Sequence, residues 1–254
     1  MPWVYAARGV FLYEVIFMTE FWQQVQENAM FVLCGIGIIA LLAMLAHVAE
    51  HFLPQTRHTS RSKRICTIAI CSAIAAVLHM LDFPLLFLAP EFYKLDFSEL
   101  PVMLCAFYLG PSAGVACEAV KIVLKLLLKG TSTAFVGDFA NFVVGCSLVL
   151  PAAIIYHTKK SRTSALWGLV VGTLCLTAFG SFFNAVYLLP KFAQLYGMPL
   201  DTIIAMGSKI NSSIQSLQSF IILAVAPLNL IKGAMISVLT LLLYKRVARP
   251  LFGK

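Results

Sequence analysis

Ionisable side chains inside strongly apolar stretches are the residues of this sequence best placed to do chemistry. Glu118 and Lys121 are three residues apart, so both fall on one face of a helix and predict an intramembrane ion pair. Lys232 lies one helical turn from Asn229, shortly after Pro227. A charge at membrane depth costs about 2.5–3.5 kcal/mol and needs a partner or a lined cavity. We therefore expect Pro227 to break its helix and the adjacent amide and ammonium to face a ligand.

Two further amides, Asn184 and Asn141, lie near the ends of apolar segments. A side-chain amide inside a membrane bundle either bonds to a neighbouring helix or presents a donor and an acceptor to a ligand. The sequence around each amide leaves both interpretations open.

One string suggests an enzyme. His47-Val-Ala-Glu-His51 matches the H-x-x-E-H pattern of inverted zinc peptidases, in which two histidines bind zinc beside a glutamate base. The string lies where the first apolar segment ends, where a solvated helix end also carries such residues, and no third ligand is evident. A membrane metallopeptidase therefore stays a distant alternative, and we assign no catalytic residue and no metal ligand.

Other catalytic motifs are missing from the sequence. It contains no Walker A loop, no G-x-S-x-G elbow and no C-x-x-C pair. The seven cysteines all lie in apolar stretches without paired metal-ligand spacing, so neither disulfides nor a zinc site is indicated. The chain cannot hydrolyse ATP by itself, and uphill uptake of a solute would need an external motor or a coupling ion.

Composition places these residues in a membrane. Hydrophobic residues make up 60% of the chain and charged residues 12%, and the mean hydropathy is +0.89. A helical span needs about 20 apolar residues, so the chain has room for about seven spans, and we predict an all-α polytopic membrane protein. The net charge of +8 comes from short runs beside apolar segments, so we do not expect nucleic acid as a partner.

Apolar runs and charge divide the chain into four parts. We predict that residues 1–28 form an extracytoplasmic segment, 29–50 a transmembrane helix, 51–64 a basic cytoplasmic connector and 65–254 a six-helix bundle. Met18 is an alternative to Met1 as the start of translation. The basic residues of the predicted cytoplasmic segments are Arg57, Arg61, Lys63, Arg64, Lys159, Lys160, Arg162, Lys245, Arg246, Arg249 and Lys254. By the positive-inside rule, the amino terminus is outside and the carboxyl terminus inside.

Several strings between residues 65 and 244 resemble one known family. They are Asp-Phe-Ser-Glu-Leu-Pro at 96–101, Gly-Pro-Ser-Ala-Gly at 110–114, Glu-Ala-Val-Lys at 118–121, Gly-Asp-Phe-Ala-Asn-Phe at 137–142, Asn184 with Leu-Leu-Pro at 188–190, and Ala-Pro-Leu-Asn-Leu-Ile-Lys-Gly at 226–233. Together they resemble the substrate-binding S components of energy-coupling factor (ECF) transporters, in particular the riboflavin-specific ones.

The resemblance implies a six-helix S-component bundle in a bacterial cell membrane, preceded here by one extra transmembrane helix. Such a bundle captures a vitamin outside, uses no cofactor, and docks on a transmembrane scaffold subunit driven by two ATPase subunits. In that family the positions matching Asn184, Asn229 and Lys232 contact the flavin ring, whose pyrimidine edge offers two carbonyl acceptors and one N–H. Asn141 and Glu99, within the matching strings, complete the predicted substrate-binding set.

Docking on the scaffold in this family uses small residues spaced A-x-x-x-A on the first bundle helix, and Ala69 and Ala73 match that spacing. Two features depart from the family pattern: the extra helix before the bundle, and the segment from Lys191 to Asn211, which is predicted to be a long loop. An S component for another vitamin-like solute therefore stays an alternative to a riboflavin-specific one.

Overall fold

The structure, a computed structural model, describes residues 29–54, 59–131 and 133–252. The predicted segment 1–28, with Met18, lies outside these residues, as do Arg57 and Lys254. The described residues form ten α-helices, two π-helical turns and one pair of short strands. In chain order these elements are α1 (Ala29–Phe52), α2 (Arg61–Met80), β1 (Phe83–Pro84), β2 (Lys94–Leu95), α3 (Glu99–Leu109), α4 (Pro111–Lys129), α5 (Val136–Lys159), α6 (Arg162–Phe183), the first π turn (Asn184–Leu188), α7 (Leu189–Leu195), α8 (Leu200–Ser208), α9 (Leu217–Phe220), the second π turn (Ile221–Val225) and α10 (Ala226–Phe252).

Several of these helices have the length and composition of membrane spans. Over the described residues, five stretches are long and apolar enough: Gly35–Phe52, Arg61–Met80, Val136–Lys159, Arg162–Leu195 and Leu217–Tyr244. α3 is apolar but has only 11 residues, about 16 Å at 1.5 Å per residue, or roughly half the hydrocarbon thickness. α4 has 19 residues and carries Glu118 and Lys121 near its middle. The predicted all-α membrane bundle is confirmed, with α3 and α4 as its two atypical segments.

Two predicted boundaries differ from the structure. α2 begins at Arg61, inside the predicted connector 51–64, because arginine and lysine are good helix formers and the first turn of the helix can extend into the polar interface. The segment from Lys191 to Asn211 is not one long loop, since it contains most of α7 and all of α8.

The prediction that Pro227 breaks its helix is wrong. Pro227 is the second residue of α10, and α10 directly follows the second π turn. In the same way, Pro190 is the second residue of α7, and α7 directly follows the first π turn. A proline has no N–H and its ring collides with the carbonyl four residues earlier. A π turn shifts the local hydrogen bonds to a five-residue spacing. Each helix therefore accommodates its proline without a break.

The two strands mark one end of the bundle, which we call the hairpin end. β1 pairs antiparallel with β2, with Phe83 opposite Leu95. The segment between the strands packs there against α8 and α9, because Tyr93, Ile203 and Phe220 belong to one buried cluster. This cluster covers the end of the bundle at which α3 begins.

The extra helix α1 packs outside the bundle, against α4 and α5. Ala46 of α1 is fully buried in a cluster with Val115 of α4 and Phe142 of α5. At its end, the Glu50 carboxylate accepts hydrogen bonds from the Ser112 backbone N–H at 3.1 Å and the Ser112 hydroxyl at 2.7 Å. Ser112 is in the first turn of α4, so Glu50 caps that helix from another part of the chain.

A glycine makes this cap sterically possible. Gly110 has a φ of 117°, and a Cβ there would lie 2.2 Å from a Glu50 carboxylate oxygen. His47 and His51 are exposed on α1, while Glu50 faces α4. The glutamate of the H-x-x-E-H string therefore has a structural use, as a helix cap.

Candidate functional site

A cavity of about 430 Å³ lies at the hairpin end, within the size range of small-molecule sites. Its polar lining side chains are His79, Asp82, Tyr93, Lys94, Asp96, Lys125, Lys129, Thr131, Thr133, Asp138, Asn141, Asn184, Tyr196, Asn229 and Lys232. Its apolar lining side chains are Phe92, Ala140, Val144, Leu188, Phe192 and Leu228. The lining thus combines aromatic surface with many hydrogen-bonding groups.

The structure brings four of the five predicted substrate-binding residues to this cavity, namely Asn141, Asn184, Asn229 and Lys232. The π turns contribute to this placement: Asn184 opens the first, and α10 carries Asn229 and Lys232 within two turns of the second. Glu99 is not among the lining residues and lies behind Lys232, as an ion-pair partner.

The Asn184 amide is already held by the protein. The Tyr93 hydroxyl donates to Asn184 Oδ1 at 2.7 Å, and Asn184 Nδ2 donates to the Gly180 carbonyl at 2.7 Å. Burial raises the pKa of Tyr93, so its hydroxyl stays protonated and keeps donating. This arrangement fixes the amide and leaves its second N–H available to a ligand.

The nitrogen of the Asn229 amide, in contrast, has no hydrogen-bond partner in the part of the chain that the structure describes. Asn229 is 6% exposed, and its Nδ2 is buried. A Cβ on Gly180 would lie only 2.8 Å from this nitrogen, so the amide packs closely on α6. Buried polar groups in proteins are nearly always paired, which makes Asn229 the clearest candidate for a ligand contact.

Lys232 is held by two carboxylates. Its ammonium donates to Asp96 at 3.2 Å and lies 3.1 Å from Glu99, which leaves one of its three protons for the cavity. Burial disfavours the charged form of Asp96, but Lys232 and His79 outweigh burial, and the pKa of Asp96 lies well below its usual range. The Asp96 carboxylate is therefore ionised and pairs with both neighbours.

The charges continue from the cavity wall into the bundle. Glu99 lies 3.6 Å from the ammonium of Lys121, and Lys121 forms the predicted ion pair with Glu118. Lys121 and Glu118 are fully buried. Ser98 accepts a further hydrogen bond from Lys121 at 3.1 Å. The Glu118–Lys121 pair is thus the inner end of a buried network that begins at the cavity wall.

Sequence reasoning missed several lining residues. His79 lies 3.3 Å from Asp96, and both line the cavity beside Lys232. Asp96 is in a string that matched the family, so this match was a usable signal. Tyr93 had no such signal, because its bond to Asn184 joins residues 91 positions apart.

The predicted docking residues lie on a face of α2 that is exposed among the described residues. Ala69 and Ala73 are exposed, whereas Ser72, Ala75 and Ala76 on the same helix are buried against the bundle. Exposed apolar residues extend the face that contains the two alanines, namely Ile65, Ile70, Ile74 and Val77. The geometry is that of a smooth surface which a partner helix can approach closely.

Among the described residues, no group of three or more His, Cys, Asp or Glu side chains is arranged to hold a metal ion. The thiols of Cys66, Cys71, Cys105, Cys117, Cys146 and Cys175 are free. The polar groups at the cavity are amides, ammonium groups, carboxylates and hydroxyls, which suit recognition of a polar organic molecule rather than coordination of a metal.

Comparison with known proteins gives the family. Residues 63–244 match the family model described as "ECF transporter, substrate-specific component". The Staphylococcus aureus protein named riboflavin transporter RibU is 39% identical over 188 residues, which cover 74% of this chain and 92% of the relative. The Bacillus subtilis protein named riboflavin transporter FmnP is 31% identical over 183 residues, which cover 72% of this chain and 90% of the relative.

A solved structure agrees with the sequence match. The structure reported as "Structure and mechanism of the S component of a bacterial ECF transporter" superimposes with a TM-score of 0.59 and 37% identity. The match covers 76% of this chain and 99% of that chain. α1 precedes the region that the family model matches. Through residues 63–244, the chain belongs to the family of ECF transporter substrate-specific components.

Proposed function

We propose that this chain is the substrate-binding subunit for riboflavin uptake in a cell membrane, a transport subunit rather than an enzyme. The observation that carries the proposal is the amide nitrogen of Asn229, which is buried at the cavity wall one turn from Lys232 and has no hydrogen-bond partner among the described residues. Two relatives that span most of the chain are named riboflavin transporters.

The chemistry of the cavity suits a flavin ring. The pyrimidine edge of the ring presents two carbonyl oxygens on either side of an N–H, and an asparagine amide offers a donor beside an acceptor. Asn229 can pair with this edge, while Lys232 and the second N–H of Asn184 supply donors for the carbonyl oxygens. The ring centroids of Phe92 and Phe192 lie 6.1 Å apart at the cavity wall. These two side chains offer apolar surface to the planar flavin ring.

Delivery of the ligand needs other subunits. The proposal is that Ala69 and Ala73 on the exposed face of α2 dock on the ECF transmembrane scaffold, which two ATPase subunits drive. The chain has no nucleotide-binding loop of its own, which is consistent with an external motor. Lipid surrounds the remaining apolar surface of the bundle.

The proposed orientation puts the hairpin end and the cavity outside the cell. The basic residues of the connector and of the α5–α6 junction, such as Arg61, Lys63, Lys159 and Arg162, then face the cytoplasm. The amino terminus is outside and the carboxyl terminus inside in this arrangement. By chain region, 29–50 is an accessory span and 65–254 is the substrate-binding bundle.

The proposal is tested by purifying the protein from cells grown in rich medium. We expect a yellow protein whose bound flavin fluorescence is quenched. Asn229→Ala and Lys232→Met should each weaken riboflavin binding at least tenfold, because each removes buried polar contacts worth about 1–3 kcal/mol. Thr67→Ala and Thr163→Ala, far from the cavity, are the matched controls. A colourless protein that binds another vitamin instead would show that the chain is an S component of different specificity.

A further inference from the structure

The buried network behind the cavity is a chain of ionisable groups that begins at His79. His79 Nδ1 lies 3.3 Å from Asp96 Oδ2, and the same oxygen lies 3.2 Å from the ammonium of Lys232. Beyond Lys232 the chain continues through Glu99, Lys121 and Glu118. All six side chains belong to residues that are at most 8% exposed. Water therefore screens these charges little, and the state of each group depends on its neighbours.

The charges of this chain balance only when one member gains a proton. Its three carboxylates carry −3 and its two ammonium groups +2, which leaves −1 when the imidazole is neutral. An uncompensated charge is costly in a protein interior. Protonation of His79 brings the sum to zero, and three cations then alternate with three anions along the chain. Histidine is the side chain that ordinarily gains a proton between about pH 5 and 8.

Other groups around the cavity do not supply this missing charge. The other titratable side chains of the lining come from the turn after α2, the strand segment, α4, α5 and the end of α7, and they are Asp82, Tyr93, Lys94, Lys125, Lys129, Asp138 and Tyr196. The charged ones form ion pairs with one another at 2.5 to 3.7 Å. Among the described residues, none of them pairs with Asp96, whose ion-pair partners are His79 and Lys232.

We propose that His79 is a positioning residue for riboflavin binding, which as an imidazolium holds Asp96 and so leaves the third proton of Lys232 to the ligand. The Asp96 carboxylate is then balanced from two sides. When the imidazole is neutral, Lys232 balances Asp96 by itself, and less of its positive charge strengthens the N–H offered to a flavin carbonyl. The inference rests on the proposed function, because Lys232 is taken to contact the ring. Riboflavin binding is therefore linked to uptake of a proton by His79.

The experiment measures riboflavin affinity of the purified full-length protein by fluorescence quenching between about pH 5 and 8. Wild-type affinity should fall about fivefold or more as the pH rises, because the imidazolium is lost. His79→Gln keeps a hydrogen-bond donor for Asp96 but carries no charge, so its affinity should stay near the wild-type value at high pH throughout. His79→Lys carries a permanent charge, and its affinity should stay near the wild-type value at low pH.

His51→Gln, at an exposed histidine of α1, is the matched control and should keep the wild-type pH profile. Calorimetry near neutral pH, in two buffers of different ionisation enthalpy, should show proton uptake on riboflavin binding by wild type and none by His79→Gln. His79→Gln decides the question if His79→Lys fails to fold. A pH dependence that survives in His79→Gln places the proton on another group, such as Glu118, and overturns the inference, as does a flat wild-type profile. A wild-type protein that binds no riboflavin at any pH overturns the proposed function instead.

Discussion

The Lys232 ammonium lies 3.1 Å from a carboxylate oxygen of Glu99, and the same oxygen lies 3.6 Å from the ammonium of Lys121. Glu99 is therefore the shared counter-ion of two buried cations, one at the cavity wall and one inside the bundle. It holds Lys232 from behind without lining the cavity. The position of the cavity lysine thus depends on a carboxylate in the first turn of the short helix α3.

Glu99→Gln should damage both stability and binding. The substitution removes one carboxylate partner from each of the buried ammonium groups of Lys121 and Lys232. Breaking a buried ion pair lowers the free energy of unfolding by about 3–5 kcal/mol. We expect a lower unfolding temperature in detergent together with weaker flavin binding, because Lys232 loses one of its two anchors. Glu91→Gln, an exposed carboxylate at the same end of the molecule, is the control and should change little. An unchanged unfolding temperature in Glu99→Gln would contradict the shared counter-ion.

Gly180→Ala should weaken binding although it removes no polar group. The added Cβ would lie 2.8 Å from Asn229 Nδ2 and 3.3 Å from Asn229 Cγ, so the amide must move. Because the geometry of a pairing amide matters, we expect flavin affinity to fall about tenfold or more. Gly37→Ala, where the added Cβ meets nothing within 4 Å, is the matched control. Titration of flavin fluorescence against each variant measures the difference, and equal affinities would mean that Asn229 does not contact the ring.

Local patterns made much of the bundle predictable. The three-residue spacing of Glu118 and Lys121 was enough to predict their ion pair, since that spacing alone puts both on one helix face. The length of the apolar stretches likewise identified α1, α2, α5, α6 and α10 as membrane helices. These features depend on residues that are close in the chain, and a sequence shows them directly.

Long-range contacts could not be predicted in the same way. Asp96 and Lys232 are 136 positions apart, so nothing in either neighbourhood indicates that they pair. The prediction at Pro227 was wrong because the proline rule assumes α-helical hydrogen bonding, and a π turn relaxes that assumption. The segment from Lys191 to Asn211 was predicted as a loop, whereas burial of Phe192 and Ile203 at the hairpin end stabilises α7 and α8 there.

Glu50→Ala should destabilise the protein without abolishing ligand binding. Glu50 accepts two hydrogen bonds at the first turn of α4, and removal of a helix cap costs about 0.5–2 kcal/mol. The cavity is at the other end of the bundle, so flavin affinity should stay within about twofold of wild type. Thermal unfolding and flavin titration measure the two effects. His47→Ala, which changes an exposed residue of the same string, is the control. One bound zinc per chain of the wild-type protein, found by elemental analysis, would instead support the peptidase interpretation.

Ala69→Trp or Ala73→Trp should separate binding from transport. Both alanines are exposed on α2, so an indole there fits beside lipid but keeps a partner helix at a distance. We expect flavin binding close to wild type and loss of riboflavin uptake in cells that hold the scaffold and ATPase subunits. Leu174→Trp, at an exposed position on α6, is the control and should keep both activities. Uptake that survives in both alanine variants would exclude this face from docking.

The two π turns have a consequence for how the site changes in evolution. A π turn holds one residue more than an α turn, so each is equivalent to a single residue inserted into a continuous helix. One residue corresponds to about 100° of rotation around an α-helix. A one-residue deletion between Ile221 and Val225 would therefore keep every side chain of α10 and turn Asn229 and Lys232 away from the cavity. The face that α10 turns toward the cavity is set by the number of residues before Pro227 as well as by their identity.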